Sequence, residues 1–407
     1  MGTVQALLYA FDGKITSNTV NASKRTALQL AARENHAPVV EKLLNAGADV
    51  NFRSSSDGRC ALHIAAGKGN NTIVNLLLEA GADKDAKRGL PATWSDMADD
   101  KTPLVEAIEN GHFPVVETLL SKGADVTVNV GCGTRDLGDM SLQAIDFAAL
   151  EGYNDIMIAL LNKIGKTDDA CTLEYTIILA CRRGHLAVVK TLLHYGCDVK
   201  TRQYDFDQPL ICASEGGYDA IVTLLLENGA DPNEERMNGE TPLTMAIFYG
   251  HVDAIKALLN AGAERKLAYG STENISVMNA ILDSGAGADE KELGDFLDQV
   301  SSDDDPYEAS LMLLRRGAPV NITGYRGKTP LHQQVDGSHC SEKVVDLLLG
   351  WGADETIKDE DGQTPADVLA SNSRLVPAVM KAVQELLDNA PQDRRWRRRG
   401  WMVMLRA

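Results

Sequence analysis

Three stretches of this chain hold residue types that carry out chemistry in other proteins, and each of the two glycine-rich ones lacks a part. Gly327-Lys328-Thr329 has the ending of a phosphate-binding loop, where backbone N–H groups and a lysine surround phosphate oxygens. Such a loop needs a glycine five positions before Gly327, and Ile322 stands there. Gly67-Lys68-Gly69 begins like a dinucleotide fingerprint, but Thr72 replaces its third glycine. A Gly-x-Ser-x-Gly nucleophile elbow is absent from the sequence. Histidine is the side chain best poised for proton transfer near neutral pH, and the chain has eight. His63 and His332 each lie three residues after a helix-opening Cys60 or Thr329, and His36, His112, His185 and His251 sit at turns. His194 and His339 have no partner nearby in sequence. The seven cysteines are scattered without a Cys-x-x-Cys pair, so neither a metal site nor a disulfide framework is expected. The third stretch is Arg394-Arg395-Trp396-Arg397-Arg398-Arg399, five positive charges followed by the apolar run Trp401 to Leu405. A segment of this kind contacts nucleic acid, an anionic membrane or a partner protein, or docks on the acidic body of its own chain.

The elements that would position these residues follow one pattern. Pro209, Leu210, Ala213, Gly217, Leu225, Leu226, Gly229 and Ala230 recur 33 residues later as Pro242, Leu243, Ala246, Gly250, Leu258, Leu259, Gly262 and Ala263. A fixed period of this length signals stacked repeats. Within one copy, Thr241-Pro242 opens a helix, because the hydroxyl caps free N–H groups and proline at the first position loses no bond. Gly250-His251 turns the chain. Val252, Ile255, Leu258 and Leu259 then fall on one stripe of a second helix, and Gly262 follows where a left-handed cap is needed. One such pair has too little core to fold alone and must stack on neighbours. The predicted core of the central repeats is Leu192, Leu193, Leu225, Leu226, Leu258 and Leu259.

The openings Thr26-Ala27-Leu28-Gln29, Cys60-Ala61-Leu62-His63, Thr102-Pro103-Leu104-Val105, Thr241-Pro242-Leu243-Thr244 and Thr329-Pro330-Leu331-His332, at a period near 33, resemble the ankyrin repeat. The resemblance covers nearly the whole chain. It implies an all-α solenoid of helix-turn-helix units with protruding β-hairpin loops, about ten repeats here, and a concave groove that binds other proteins. It also implies structural roles for the signature and turn histidines, whose rings bond nearby backbone groups.

Residues 1–22 are expected to form an N-terminal cap, with a helix from Thr3 to Phe11. Residues 23–390 form the solenoid, with an irregular repeat at about 267–321, and 391–407 form a basic and apolar C-terminal tail. Extra residues at 85–101 and 127–140 fall between repeats, where insertions do not disturb stacking. The 55 residues between Gly262 and Gly317 leave two candidates for the irregular repeat's first helix, 275–282 or 290–300, with 311–316 as the second.

The formal net charge of −18 argues against general nucleic-acid binding by the body of the chain. The odd cysteine count suggests reduced thiols, hence an intracellular protein of the cytoplasm or nucleus. No stretch reaches the roughly 20 apolar residues of a membrane span, and no secretory signal opens the chain. The expected function is a non-catalytic protein-interaction scaffold or adaptor with no cofactor and no small-molecule substrate. The alternative is a regulatory protein whose basic tail contacts nucleic acid or an anionic membrane while the repeats bind a protein. In the ankyrin family the partner meets loop tips and the exposed ends of first helices. That implies Arg182, Arg183, Phe248 and Tyr249 at helix ends, Arg202, Tyr204, Phe206, Arg236 and Met237 at loop tips, and Trp94 in the first insertion. Arginine and aromatic side chains are enriched at interface centres. Phe52, Tyr325 and Trp351 are secondary candidates, and partly acidic partner surface would suit the arginines.

Overall fold

The structure is a computed structural model that describes residues 19–21, 23–88, 100–134, 138–165, 171–200, 208–264, 275–284, 289–300, 306–337 and 340–404. The expected N-terminal helix, Trp94, Arg202, Tyr204, Phe206 and His339 lie outside these residues.

Threonine capping and proline at the first position build the short first helices as the sequence predicts. The hydroxyls of Thr26, Thr102, Thr241, Thr329 and Thr364 accept the backbone N–H three residues on, at 3.2 to 3.4 Å. Each cap contributes about 1 kcal/mol. The described chain forms two units, divided after Ala230. The first holds α1 (Ala27–Arg33), α2 (Ala37–Asn45), α3 (Ala61–Gly67), α4 (Asn71–Glu79), α5 (Pro103–Glu109), α6 (Phe113–Ser121), α7 (Ala144–Glu151), α8 (Asn154–Ile164), α9 (Cys171–Arg183), α10 (Leu186–His194), α11 (Pro209–Glu215) and α12 (Asp219–Glu227). Odd-numbered helices stack on one another in chain order and even-numbered helices form a second layer behind them.

The insertion at 127–140 makes an antiparallel hairpin of β1 (Val130–Thr134) and β2 (Gly138–Leu142), in the register Val130 opposite Leu142. Val130 and Leu142 are buried at its base. The predicted leucine core is confirmed at Leu192, Leu225, Leu258 and Leu259. It needs correction at Leu193 and Leu226, which are only half-buried. Consecutive helix residues point about 100° apart, so the second leucine of each pair turns toward the rim unless the neighbouring repeat reaches over it.

The second unit holds α13 (Pro242–Phe248), α14 (Val252–Asn260), α15 (Ile275–Asp283), α16 (Glu290–Val300), α17 (Tyr307–Arg315), α18 (Pro330–Asp336), α19 (Glu342–Gly350), α20 (Pro365–Ser371) and α21 (Pro377–Met404). Both candidates for the irregular repeat's first helix therefore form. α16 pairs with α17 and stacks on α18, while α15 packs on α14. The second helix of that repeat starts at Tyr307, four residues before the expected start. Val383, Leu387 and Ala390 of α21 are buried where it packs on α19 and α20, and its backbone remains helical through Met404.

In three repeats the fourth residue of the signature ties the repeat to the next. Gln29 accepts the Thr26 N–H through Oε1 at 3.0 Å and donates Nε2–H to the carbonyls of Phe52 and Arg59 at 3.1 and 2.9 Å. His63 accepts the Cys60 N–H at Nδ1, so Nε2 carries the proton and donates to the Lys101 carbonyl at 3.0 Å. His332 repeats this with Thr329 and the Gln363 carbonyl, at 3.2 and 3.1 Å. The turn histidines also bond backbone, His112 to Gly67 and His185 to Leu150, at 3.2 and 2.9 Å. The expected structural reading of these four histidines holds.

Burial pushes the His63 imidazole down to about 4, and the Arg88 and Arg59 charges add to the effect. The unfolded chain takes up a proton near 6.5 that the folded chain refuses. The contribution of His63 is therefore fully present above 6.5 and is lost as the pH falls toward 4. Between pH 7.5 and pH 5 the first unit should lose about 2 kcal/mol. Urea midpoints at the two values check this against His63→Gln, which can copy the two bonds of Gln29 without titrating. An equal loss in the variant would move the pH dependence to another group.

The first unit also buries a carboxylate. Glu106 of α5 accepts Nε and Nη2 of Arg59 in a two-pronged bond, each at 3.0 Å, with Arg88 Nη1 3.4 Å from Oε1. Burial raises its pKa against the pull of the two guanidinium groups, and the two-pronged geometry is that of the ionised form.

Candidate functional site

A first helix of seven residues has one face to bury and two ends to expose. In α13, Pro242, Leu243, Met245, Ala246 and Ile247 are buried, and the helix ends on Phe248 with Tyr249 as its cap. Phe248 is 70% exposed and Tyr249 49% exposed. The two rings meet edge to face, with centroids 5.1 Å apart and planes at 87°. Across the turn glycine, the His251 ring stacks on Tyr249 at 6.1 Å. Three rings thus line the turn, two of them exposed aromatic faces. His251 was expected only as a turn residue. Its signal in the sequence is the two-residue spacing from Tyr249 across Gly250.

At the loop tip of the same repeat, Arg236 and Met237 have different roles. The Arg236 N–H donates to the Glu240 carbonyl at 2.9 Å and its guanidinium pairs with the Glu240 carboxylate at 3.0 Å, so it shapes the loop. Met237 stands at the tip, 83% exposed. Along the unit, Tyr325 is 78% exposed at another loop, with the Arg326 guanidinium 5.7 Å from its ring centre. Phe52 and Trp351 are half-buried.

Arg182 and Arg183 end α9 in the first unit, Arg182 half-buried and Arg183 exposed, just before Gly184. The structure places Phe248, Tyr249 and His251 together and sets Met237 beyond the other end of α13, about 10 Å of helix away. Arg394, Arg395, Trp396, Arg397, Arg398 and Arg399 lie on α21.

The described cysteines are poorly placed for nucleophilic chemistry. Cys60, Cys181, Cys197 and Cys212 are buried free thiols, and burial holds the Cys181 thiol well above its ordinary value and Cys197 at about 12. Thiols in that state are poor nucleophiles. Among the described residues no group of three or more His, Cys, Asp or Glu side chains is placed to hold a metal ion, and no helix is long and apolar enough to cross a membrane.

Comparison with known families matches these repeated helix pairs. A three-copy ankyrin repeat model matches residues 2–88, 145–236, 177–267 and 210–288, more than half of the chain, and a single-repeat model matches 99–129. The chain belongs to the ankyrin repeat family. Among curated ankyrin repeat proteins, L271 of Acanthamoeba polyphaga mimivirus is 28% identical over 95 residues, which is 23% of this chain and 12% of that protein. P1E11.10 of Schizosaccharomyces pombe (strain 972 / ATCC 24843) is 31% identical over 84 residues, 20% of this chain and 37% of its own length. The chain thus spans well under half the length of either relative. The human ASB11 ankyrin repeat domain aligns over 60% of this chain and 100% of its own, with a TM-score of 0.48 and 24% identity. Ankyrin repeats mediate protein–protein interaction.

Proposed function

We propose that this ankyrin repeat chain is a non-catalytic scaffold or adaptor of the cell interior, cytoplasmic or nuclear, that binds partner proteins through first-helix ends and loop tips. The reading is carried by Phe248 and Tyr249. Each repeat must bury apolar surface to stack, so an exposed, mutually packed aromatic pair at a helix end is surface the stack does not use. Such pairs are typical interface anchors, at roughly 2 kcal/mol or more each, about 30-fold in affinity. Arg182, Arg183 and Met237 are proposed to extend the contact surface, each on its own unit, and Arg236 to hold the loop that presents Met237. The buried free thiols support a reducing compartment.

The experiment is quantitative capture of partner proteins from cell extract by wild type and by Phe248→Ser with Tyr249→Ser. The double variant should lose the partner set while keeping its helical content and urea midpoint, because neither ring contributes to the stack. Undiminished capture by the folded variant would remove this site from the function.

A further inference from the structure

The repeat carrying the exposed rings is acidic. Residues 231–264 hold six carboxylates against one arginine and one lysine, and Asp231, Glu235, Asp253 and Glu264 are exposed. Its two cations are already engaged, Arg236 with Glu240 and Lys256 with Asp253. Exposed ring faces on an acidic repeat favour a guanidinium, which stacks on aromatic faces and forks onto carboxylates. The chain itself supplies that chemistry in Arg394-Arg395-Trp396-Arg397-Arg398-Arg399, on a helix whose last described buried residue is Ala390.

We propose that the Phe248–Tyr249 face of one molecule holds the arginine–tryptophan segment of a second copy of this chain. This rests on the reading of the two rings as a contact surface and names the occupant. The segment comes from a second copy because α21 packs on α19 and α20, at the other end of the unit's stacking order from α13. The helix α15 and the pairs α16–α17 and α18–α19 intervene, three layers and on the order of 30 Å at 8–10 Å per layer. The helix beyond Ala390 extends only about 20 Å. The contact joins two different patches, so two copies either exchange segments reciprocally as a closed dimer or add head-to-tail as a ring or open series. Repulsion between two bodies of net charge −18 is screened beyond about 10 Å at 0.1 M salt, while the contacting charges still attract.

Sedimentation velocity of the full chain tests this over a concentration series at about 0.1 M and about 0.5 M salt. The sedimentation coefficient should rise with concentration at the lower salt and stay constant at the higher. Two variants, Phe248→Ser with Tyr249→Ser, and Arg397→Gln with Arg398→Gln and Arg399→Gln, should each remain monomeric alone. Mixed together they should form dimers that grow no further, since each supplies the half the other lacks. A wild type that stays monomeric, a ring variant that still associates, or a mixture that stays monomeric would overturn the proposal. So would a 392–407 peptide that binds phosphatidylserine vesicles or poly(U) RNA but not the arginine-to-glutamine variant. Partner capture lost in the ring variant, with a monomeric wild type, would reject this occupant and leave the scaffold reading intact. Unchanged capture would reject the scaffold site itself.

Discussion

Glu106→Ala is expected to lower the stability of the first unit by about 3 kcal/mol, read as a fall in the urea midpoint. The carboxylate is 4% exposed and is the shared counter-charge of Arg59 and Arg88, so removing it leaves two guanidinium groups facing a cavity. One-sided removal of a buried pair costs about 3 to 5 kcal/mol. The lower end applies because Arg59 keeps 33% of its side chain in water and can swing out. Glu106→Gln keeps the shape but not the charge, and should fall between wild type and alanine. Replacing all three residues with apolar ones of similar size should recover much of the loss, because no charge then remains uncompensated. If the alanine variant lost only a few tenths of a kcal/mol, the cluster would be a solvated surface pair.

The second large effect is expected at Gly184. Its φ of +77° is a conformation that costs an L-residue about 1 to 2 kcal/mol. A Cβ there would also lie 2.3 Å from Cε1 of Tyr218, whose ring covers this turn from the next repeat. His112, Tyr153 and His185 cover Gly69, Gly111 and Gly152 in the same way. Displacing a packed ring adds roughly 1 to 3 kcal/mol, so Gly184→Ala should cost about 3 kcal/mol in all. Gly229 is the control. Its φ is +89° with nothing within 4 Å of a built Cβ, so Gly229→Ala should cost only about 1 kcal/mol. Equal midpoints for the two variants would mean that ring contact contributes nothing.

Features that recur were legible in the sequence. The period exposed the closing glycines, and Gly47, Gly81, Gly123, Gly165, Gly229, Gly262 and Gly317 all have positive φ. Threonine caps and signature histidines could be read because their partners lie three residues away, a spacing any copy displays. The Arg59, Glu106 and Arg88 cluster could not. It occurs once, and its members are joined by stacking across up to 47 residues. The exposure of Phe248 and Tyr249 was expected only through the family resemblance, since a residue at a helix end is covered or bare according to what the adjacent layer offers. The irregular region between Gly262 and Gly317 suited two helices equally because both Ile275–Asp283 and Glu290–Val300 have an apolar face, and each found a different neighbour.

The bridge made by the fourth signature residue has a direction. Gln29, His63 and His332 each donate forward, to carbonyls of the repeat that follows. Shortening the array just after one of these repeats strands its donor, whereas removing the repeats before the bridge frees only carbonyls. Protein interiors tolerate an underused carbonyl better than an orphaned N–H. At these three repeats the two directions of loss are thus energetically unequal: removing the following repeat orphans a donor, whereas removing the preceding one leaves the bridge intact.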